Sequence, residues 1–272
     1  MAQPVGFFTD TSICIGCKAC EVACKEWNRL PGNAPRFLDS YDNTGSLGAE
    51  NWRHVQFHER VPDAASSAGN GQAWLMMSDV CKHCQQASCM EVCPTGAIIR
   101  TEFDTVFIQQ DVCNGCRYCI AACPFGVIGF SERTNTVHKC TFCYDRLQAG
   151  MMPACAQACP TQSIKFGPLA DLHKLADERL ATLHAQGITN AQLYGRDSSV
   201  YGGLNAFFLL MDKPETYGLP NPQNATLPRR NNAGGYIGAL VTAVLGGLGA
   251  LVAFRNRGRK TDTPATGAEG QG

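Results

Sequence analysis

An α+β fold of two like modules, with β-hairpins inserted in it and one membrane-crossing helix after it, is predicted by three observations. Sixteen cysteines fall into four quartets with none left over. The segments between quartets place turn formers between β-rich runs, and a stretch near the C-terminus runs 22 residues without a charge.

The quartets are Cys14, Cys17, Cys20 and Cys24; Cys81, Cys84, Cys89 and Cys93; Cys113, Cys116, Cys119 and Cys123; and Cys140, Cys143, Cys155 and Cys159. Each opens with C-x2-C and closes with C-x3-C. Only the middle gap varies: two residues in the first and third quartets, four in the second and eleven in the fourth. With 28 glycines in 272 residues, a loop-rich fold held by more than apolar packing is expected. Lys+Arg and Asp+Glu balance at 23 each without a basic stripe, which sets nucleic acid aside as a partner. The opening "MAQPVGFFTDTSICIG" has neither a basic region nor an apolar run, so no secretory signal is expected and the thiols first meet a reducing cytoplasm.

Disulfides suit such an environment poorly, and cysteines two or three residues apart bridge one another badly. Zinc takes pairs of C-x2-C, but the triple C-x2-C-x2-C exceeds the usual zinc spacing and matches the bacterial iron–sulfur run. A [4Fe–4S] cube offers four corners, each needing one soft thiolate. Three cysteines two residues apart let one tight loop reach three corners, and the fourth, on a helical turn, points to a neighbouring cluster. The quartets therefore work in cross-ligated pairs.

Between Cys93 and Cys113, "PTGAIIRTEFDTVFIQQDV" reads as the hairpin joining the halves of a two-cluster ferredoxin, which favours pairing the second quartet with the third. "PFGVIGFSERTNTVHK" after Cys123 also reads as a hairpin, so pairing third with fourth stays open. If second and third pair, first and fourth must. The ligand sets are then Cys14, Cys17, Cys20 and Cys159; Cys24, Cys140, Cys143 and Cys155; Cys81, Cys84, Cys89 and Cys123; and Cys93, Cys113, Cys116 and Cys119. Proline follows the last cysteine of three quartets; Lys25 follows that of the first.

Residues 31–75 read as an insertion, in which "WRHVQFHERV", with Val55 and Phe57 on one face, pairs with "QAWLMM" through the loop "PDAASSAGNG". "DLHKLADERLATLHAQG" places Leu172, Leu175, Ala176, Leu180 and Leu183 on one helix face, with Gly187 as C-cap. A strand at "NAFFLLM" follows. The expected boundaries are 1–211 for a four-cluster domain, 212–232 for a linker, 233–254 for the membrane helix and 255–272 for a basic, then disordered, tail.

His83, inside the second quartet, is expected to hydrogen-bond or face solvent, since all four local thiols are present. Lys18, Lys82 and Arg117 lie beside ligands and could tune cluster potentials by charge. No nucleophile–base pair, phosphate loop or paired carboxylates stand out, so no catalytic residue is assigned. From Ala233 to Phe254 a helix would measure about 33 Å, enough to cross a hydrocarbon core of about 30 Å. Gly235, Ala239, Ala243 and Gly247 give it a small-residue face for a partner helix. Arg255, Arg257, Arg259 and Lys260 after it outnumber Arg229 and Arg230 before it, which favours a C-terminus in the cytoplasm and a periplasmic cluster domain across the membrane, the cytoplasmic side being the alternative for that domain. Without its own signal, the domain would be exported folded beside a partner carrying a twin-arginine signal.

"FFTDTSICIGCKACEVACKEWN", "SYDNTGSLGAENWRHV", the quartets, "YGGLNAFFLLMDKPETYGLP" and the terminal helix together closely resemble the iron–sulfur (beta) subunit of membrane-bound respiratory formate dehydrogenase, from Phe7 to about Phe254. The quartets alone are shared with four-cluster subunits of other molybdopterin oxidoreductases and some hydrogenases, in which the same wire would serve another enzyme. The resemblance implies two ferredoxin-like dicluster modules, the first quartet paired with the fourth, and four [4Fe–4S] clusters. It also implies a separate catalytic subunit holding a molybdenum or tungsten pterin, and a membrane cytochrome b or other quinone-reducing subunit.

Overall fold

The structure is a computed structural model that describes residues 3–32, 41–59, 74–221 and 233–260. The chain divides into two compact units, Met1–Pro228 and Arg229–Gly272.

The first unit opens with β1 (Val5–Asp10), α1 (Ala19–Asn28), β2 (Arg53–Glu59), β3 (Trp74–Val80) and α2 (Ser88–Glu91). Next come β4 (Ile98–Arg100), β5 (Val106–Ile108), α3 (Tyr118–Ala122), β6 (Gly129–Ser131), β7 (Thr136–His138), α4 (Tyr144–Gln148) and α5 (Ala154–Gln157). It closes with β8 (Ile164–Pro168), α6 (Leu169–Ala185), β9 (Gln192–Tyr194) and β10 (Ala206–Leu210).

One four-stranded sheet, in the order β8-β1-β10-β9, gathers the two ends of this unit. β1 runs parallel to β10 with Phe7 opposite Ala206, and antiparallel to β8. Alternation along β1 sends Phe7 and Phe8 to opposite faces. Phe7 enters a core that contains Cys20, Cys24, Cys81, Cys119, Cys140 and Cys155. Phe8 enters a second core with Phe207, stacked at 5.3 Å, and with Leu172, Ala176 and Leu183 of α6. The sheet is therefore the wall between an ordinary apolar core and one built around sulfur.

Three antiparallel pairs complete the unit: β2 with β3, β4 with β5, and β6 with β7. In the β4–β5 pair, Asp104 turns the chain at φ +63° and Thr101 accepts its amide at 3.0 Å. The expected loop "PDAASSAGNG" lies outside the described residues. On α6, Leu175 is 38% exposed although it was expected on the buried face, because the stripe that meets the sheet is narrower and runs through Leu172, Ala176 and Leu183. Gly187 follows the helix at φ +85°, and Ile188 donates back to Leu183, as a Schellman end requires.

The expected linker at 212–232 begins too early. Pro214–Tyr217 forms a 3-10 turn, and Tyr217 and Leu219 are buried in the second core. The Tyr217 hydroxyl also accepts the Met211 amide at 3.1 Å, so the folded unit continues to at least residue 221.

In the second unit, α7 (Ala233–Lys260) holds the 25-residue stretch Ala233–Arg257 of mean hydropathy 2.2, the one described helix long and apolar enough to cross a membrane. Thr242 returns its hydroxyl to the Gly238 carbonyl at 2.9 Å, so this polar group is satisfied within the apolar stretch itself.

Candidate iron–sulfur sites

All four C-x2-C loops bend alike. The residue before the second cysteine is left-handed each time: Gly16 at φ +66°, His83 at +47°, Gly115 at +69° and Phe142 at +62°. This turn wraps the backbone round a centre so that both thiols face inward. Glycine adopts it freely, and two of the four sites also need glycine for space. A Cβ on Gly115 would stand 2.4 Å from the Asn135 carbonyl, and one on Gly16 would stand 2.7 Å from Met76 Sδ. His83 and Phe142 hold the same turn against a steric cost of about 1–2 kcal/mol each, a strain that persists only where the surroundings fix it.

The structure brings the thiols together in four groups. Cys14, Cys17, Cys20 and Cys159 line one cavity with Ser78 and Ser163. Burial pushes the Cys24 thiol well up, and the neighbours that push it further are Cys155, Cys140 and Cys143. Cys84, likewise raised first by burial, is raised next by Cys81, Cys89 and Cys123. Cys93, Cys113, Cys116 and Cys119 line another cavity, and Cys119 is pushed up to about 11, first by burial and then by the other three. Every group draws one thiol from another quartet.

These groups fit a cube better than an ion. Among the described residues no three His, Cys, Asp or Glu side chains gather closely enough to hold a single metal ion. At both outer groups the sulfurs surround a cavity instead of a point. Burial lifts Cys20, Cys89 and Cys140 to about 12, so without a metal these thiols hold their protons at neutral pH. Iron would take the place of those protons and supply the charge that lets buried thiolates persist.

The groups also follow an order. After burial and the relief that Arg53 and Ser78 give it, Cys20 is raised by Cys155 of the second group. Cys140 is raised most, after burial, by Cys81 of the third, and Cys89 feels Cys119 of the fourth. Cys17 and Cys116, in the two outer groups, are the exposed cysteines; all four thiols of the second group are buried, and in the third Cys81 is buried and Cys84, Cys89 and Cys123 are half-buried.

The long "YDNTG" stretch folds back over the first loop. Thr44 donates to Glu21 Oε2 at 2.6 Å, Glu21 Oε1 accepts the Val55 amide, and Asp42 holds His54 at 2.8 Å. "YGGLN" does the same for the second quartet: Gln85 and Gln86 donate to Gly203 and Tyr201, with Gly202 and Gly203 at φ +79° and +107°. Lys18 lies 5.5 Å over Phe57, and Arg117 lies 3.6 Å over Phe130. Lys82 is buried but neutralised by Asp79. His83 is buried; its Nδ1 accepts the Val106 amide at 3.0 Å and its ring meets Phe142 edge-on, so it orders the loop and does not face solvent. Burial, then Lys139, holds its titration well below the ordinary imidazole range, which keeps the ring neutral. The buried cations that were not foreseen include Arg53, on Cys155, and Lys139, whose Nζ donates to the Cys140 carbonyl at 3.0 Å and to that of Val106.

Models of the 4Fe-4S dicluster domain match residues 13–97 and 72–169. They define a protein of paired cubane clusters, two to a match. The chain is 40% identical over 216 residues to the nitrate-inducible formate dehydrogenase iron-sulfur subunit of Escherichia coli K12, covering 78% of this chain and 70% of that protein. It is 40% identical over 226 residues to the formate dehydrogenase-O iron-sulfur subunit of the same organism, covering 81% and 73%. The thiosulfate reductase electron transfer subunit of Salmonella typhi is 42% identical over 161 residues, 59% of this chain and 73% of its own length. The chain belongs to the family of formate dehydrogenase iron–sulfur subunits. It is an electron-transfer protein of four [4Fe–4S] clusters.

Proposed function

We propose that this chain conducts electrons from a catalytic subunit that oxidises formate at a molybdenum or tungsten pterin to a membrane cytochrome b or other quinone-reducing subunit. The observation that carries the reading is the row of four thiol groups with both ends accessible. The four groups are taken as the four ligand sets. The first runs Cys14, Cys17, Cys20 and Cys159; the second Cys24, Cys140, Cys143 and Cys155; the third Cys81, Cys84, Cys89 and Cys123; the fourth Cys93, Cys113, Cys116 and Cys119. Bound clusters supply one-electron chemistry; the chain's residues hold the sulfurs rigid, exclude water from the second set and fix the spacing.

Cys17 and Cys116 at the ends suit exchange with two different partners, while the second set, with all four thiols buried, suits passage only. First and second sets form one ferredoxin-like module, third and fourth the other, with the β2–β3 pair read as an insertion into the first. The apolar α7 anchors the chain, and its flanking arginines favour a cytoplasmic C-terminus with the cluster unit on the far side.

Paramagnetic resonance on the natively purified membrane complex, oxidised anaerobically and then mixed with formate alone, tests this. Reduction of the iron–sulfur signals by formate supports the reading. Reduction by dithionite but not by formate would keep the wire and discard formate, leaving another oxidoreductase of the same family as the enzyme served.

A further inference from the structure

Arg53 opens β2 and is only 2% exposed, although it carries a permanent charge. Its Nη2 donates to Cys155 Sγ at 3.1 Å and its Nη1 to the Ser78 carbonyl at 3.2 Å and hydroxyl at 3.5 Å, while the guanidinium lies 4.9 Å from the centre of the Phe7 ring. Ser78 Oγ stands 3.2 Å from Cys20 Sγ. Arg53 thus touches the second set directly and the first through one hydroxyl. Among the described residues no carboxylate pairs with it, and its Nε is buried without a hydrogen bond.

A lone buried cation is strongly unfavourable unless anions stand beside it. The nearest anions here are the thiolates of the two sets. Each cluster with its thiolates is anionic, and reduction adds one electron from the adjacent centre without making or breaking a bond. A fixed cation in a poorly polarisable interior favours the more negative state, and an N–H donated to sulfur acts in the same direction.

We propose that Arg53 raises the reduction potentials of both clusters in this module. The effect is larger for the cluster of Cys24, Cys140, Cys143 and Cys155, which it hydrogen-bonds, than for that of Cys14, Cys17, Cys20 and Cys159. Arg53 is a positioning charge; the ligands remain the cysteines. The inference rests on the ligand sets proposed above.

The test is potentiometric titration, read by paramagnetic resonance, of the native complex carrying wild-type chain, R53Q or R53K, with iron and sulfide counted in each. In R53Q the second-set cluster is expected to lose about tenfold in its reduced-to-oxidised ratio at fixed ambient potential, a fall of about 59 mV. The first-set cluster should fall by less, the other two should stay, and R53K should keep most of the wild-type value. Four unmoved potentials in a fully loaded R53Q, an equal fall in all four, or R53K falling as far as R53Q would overturn the proposal. If R53Q loses the second-set cluster, R53K decides: retention near the wild-type potential supports the charge, and loss in both variants overturns it in favour of a packing role. A wild-type count well short of about sixteen irons would instead sink the ligand sets.

Discussion

Replacing Phe142 by alanine should cost about 3–5 kcal/mol, the usual range for a buried phenylalanine. The ring is fully buried, stacks on Phe7 at 4.1 Å and 18°, and meets His83 edge-on at 4.8 Å; such pairs add about 0.5–1.5 kcal/mol to burial alone. For a unit of this size that is a fall of roughly 6–20 °C in the apparent melting temperature, followed by circular dichroism and by bleaching of the iron–sulfur absorbance. The backbone adds a sign that packing cannot mimic. At φ +62° any L-residue is strained and glycine is not, so F142G regains about 1–2 kcal/mol and offsets its larger entropy loss of about 0.5–1 kcal/mol. F142G should therefore melt no lower than F142A, although its side chain is smaller. F142A within about 2 °C of wild type, or F142G clearly below F142A, would refute this account.

The remaining expectations concern charge, space, protons and spacing. Lys139, buried without a carboxylate partner among the described residues, lies against Cys140 and eases the charge on Cys89, so K139M should lower the second- and third-set potentials and leave the outer two; a shift of the outer clusters by as much would argue for general disturbance. Gly129→Ala puts a Cβ 2.1 Å from the Ala49 backbone nitrogen, more than the usual overpacking cost of about 1–3 kcal/mol; faster proteolysis within 41–52 and a lower melting temperature are expected, and an unchanged digest would deny the close approach. Because burial raises Cys20, Cys89 and Cys140 to about 12, rebuilding clusters in iron-stripped chain should release protons and speed up from about pH 7 to about pH 9, whereas a flat rate would mean the thiols are already ionised. One alanine inserted between Cys20 and Cys24 turns the second thiol by about 100°, so iron counting should show the second-set cluster lost and the third and fourth kept.

The gathering of thiols within each loop was legible because their spacing is local: a loop that turns three sulfurs toward one centre shows itself in eleven residues. The sheet was not, since β1 pairs with a strand some two hundred residues away, and neither "VGFFTD" nor "IKFGP" alternates clearly. The left-handed turns could be read at Gly16 and Gly115 but not at His83 and Phe142, where tertiary contacts override local preference. Arg53 carried a signal that went unused. In β2 it lies two residues before Val55 and four before Phe57, so the same alternation that turns Val55 inward turns Arg53 inward as well. A charge on the core face of a strand asks what anion meets it, and the answer lay in a quartet a hundred residues on.

Both the path and the fold depend on one short distance. Cys20 and Cys24 both lie on α1, four residues apart, so one helical turn of about 6 Å separates a thiol of the first set from a thiol of the second. Each other quartet likewise ends in C-x3-C and divides its last two thiols between sets. Cys89, Cys119 and Cys155 sit on helices of only four or five residues, too short to stand unaided. Ligation at their ends would hold such helices, and would fix the gap an electron must cross. Since tunnelling weakens steeply with distance, a spacer held by both neighbouring clusters would make assembly and conduction a single property of the chain.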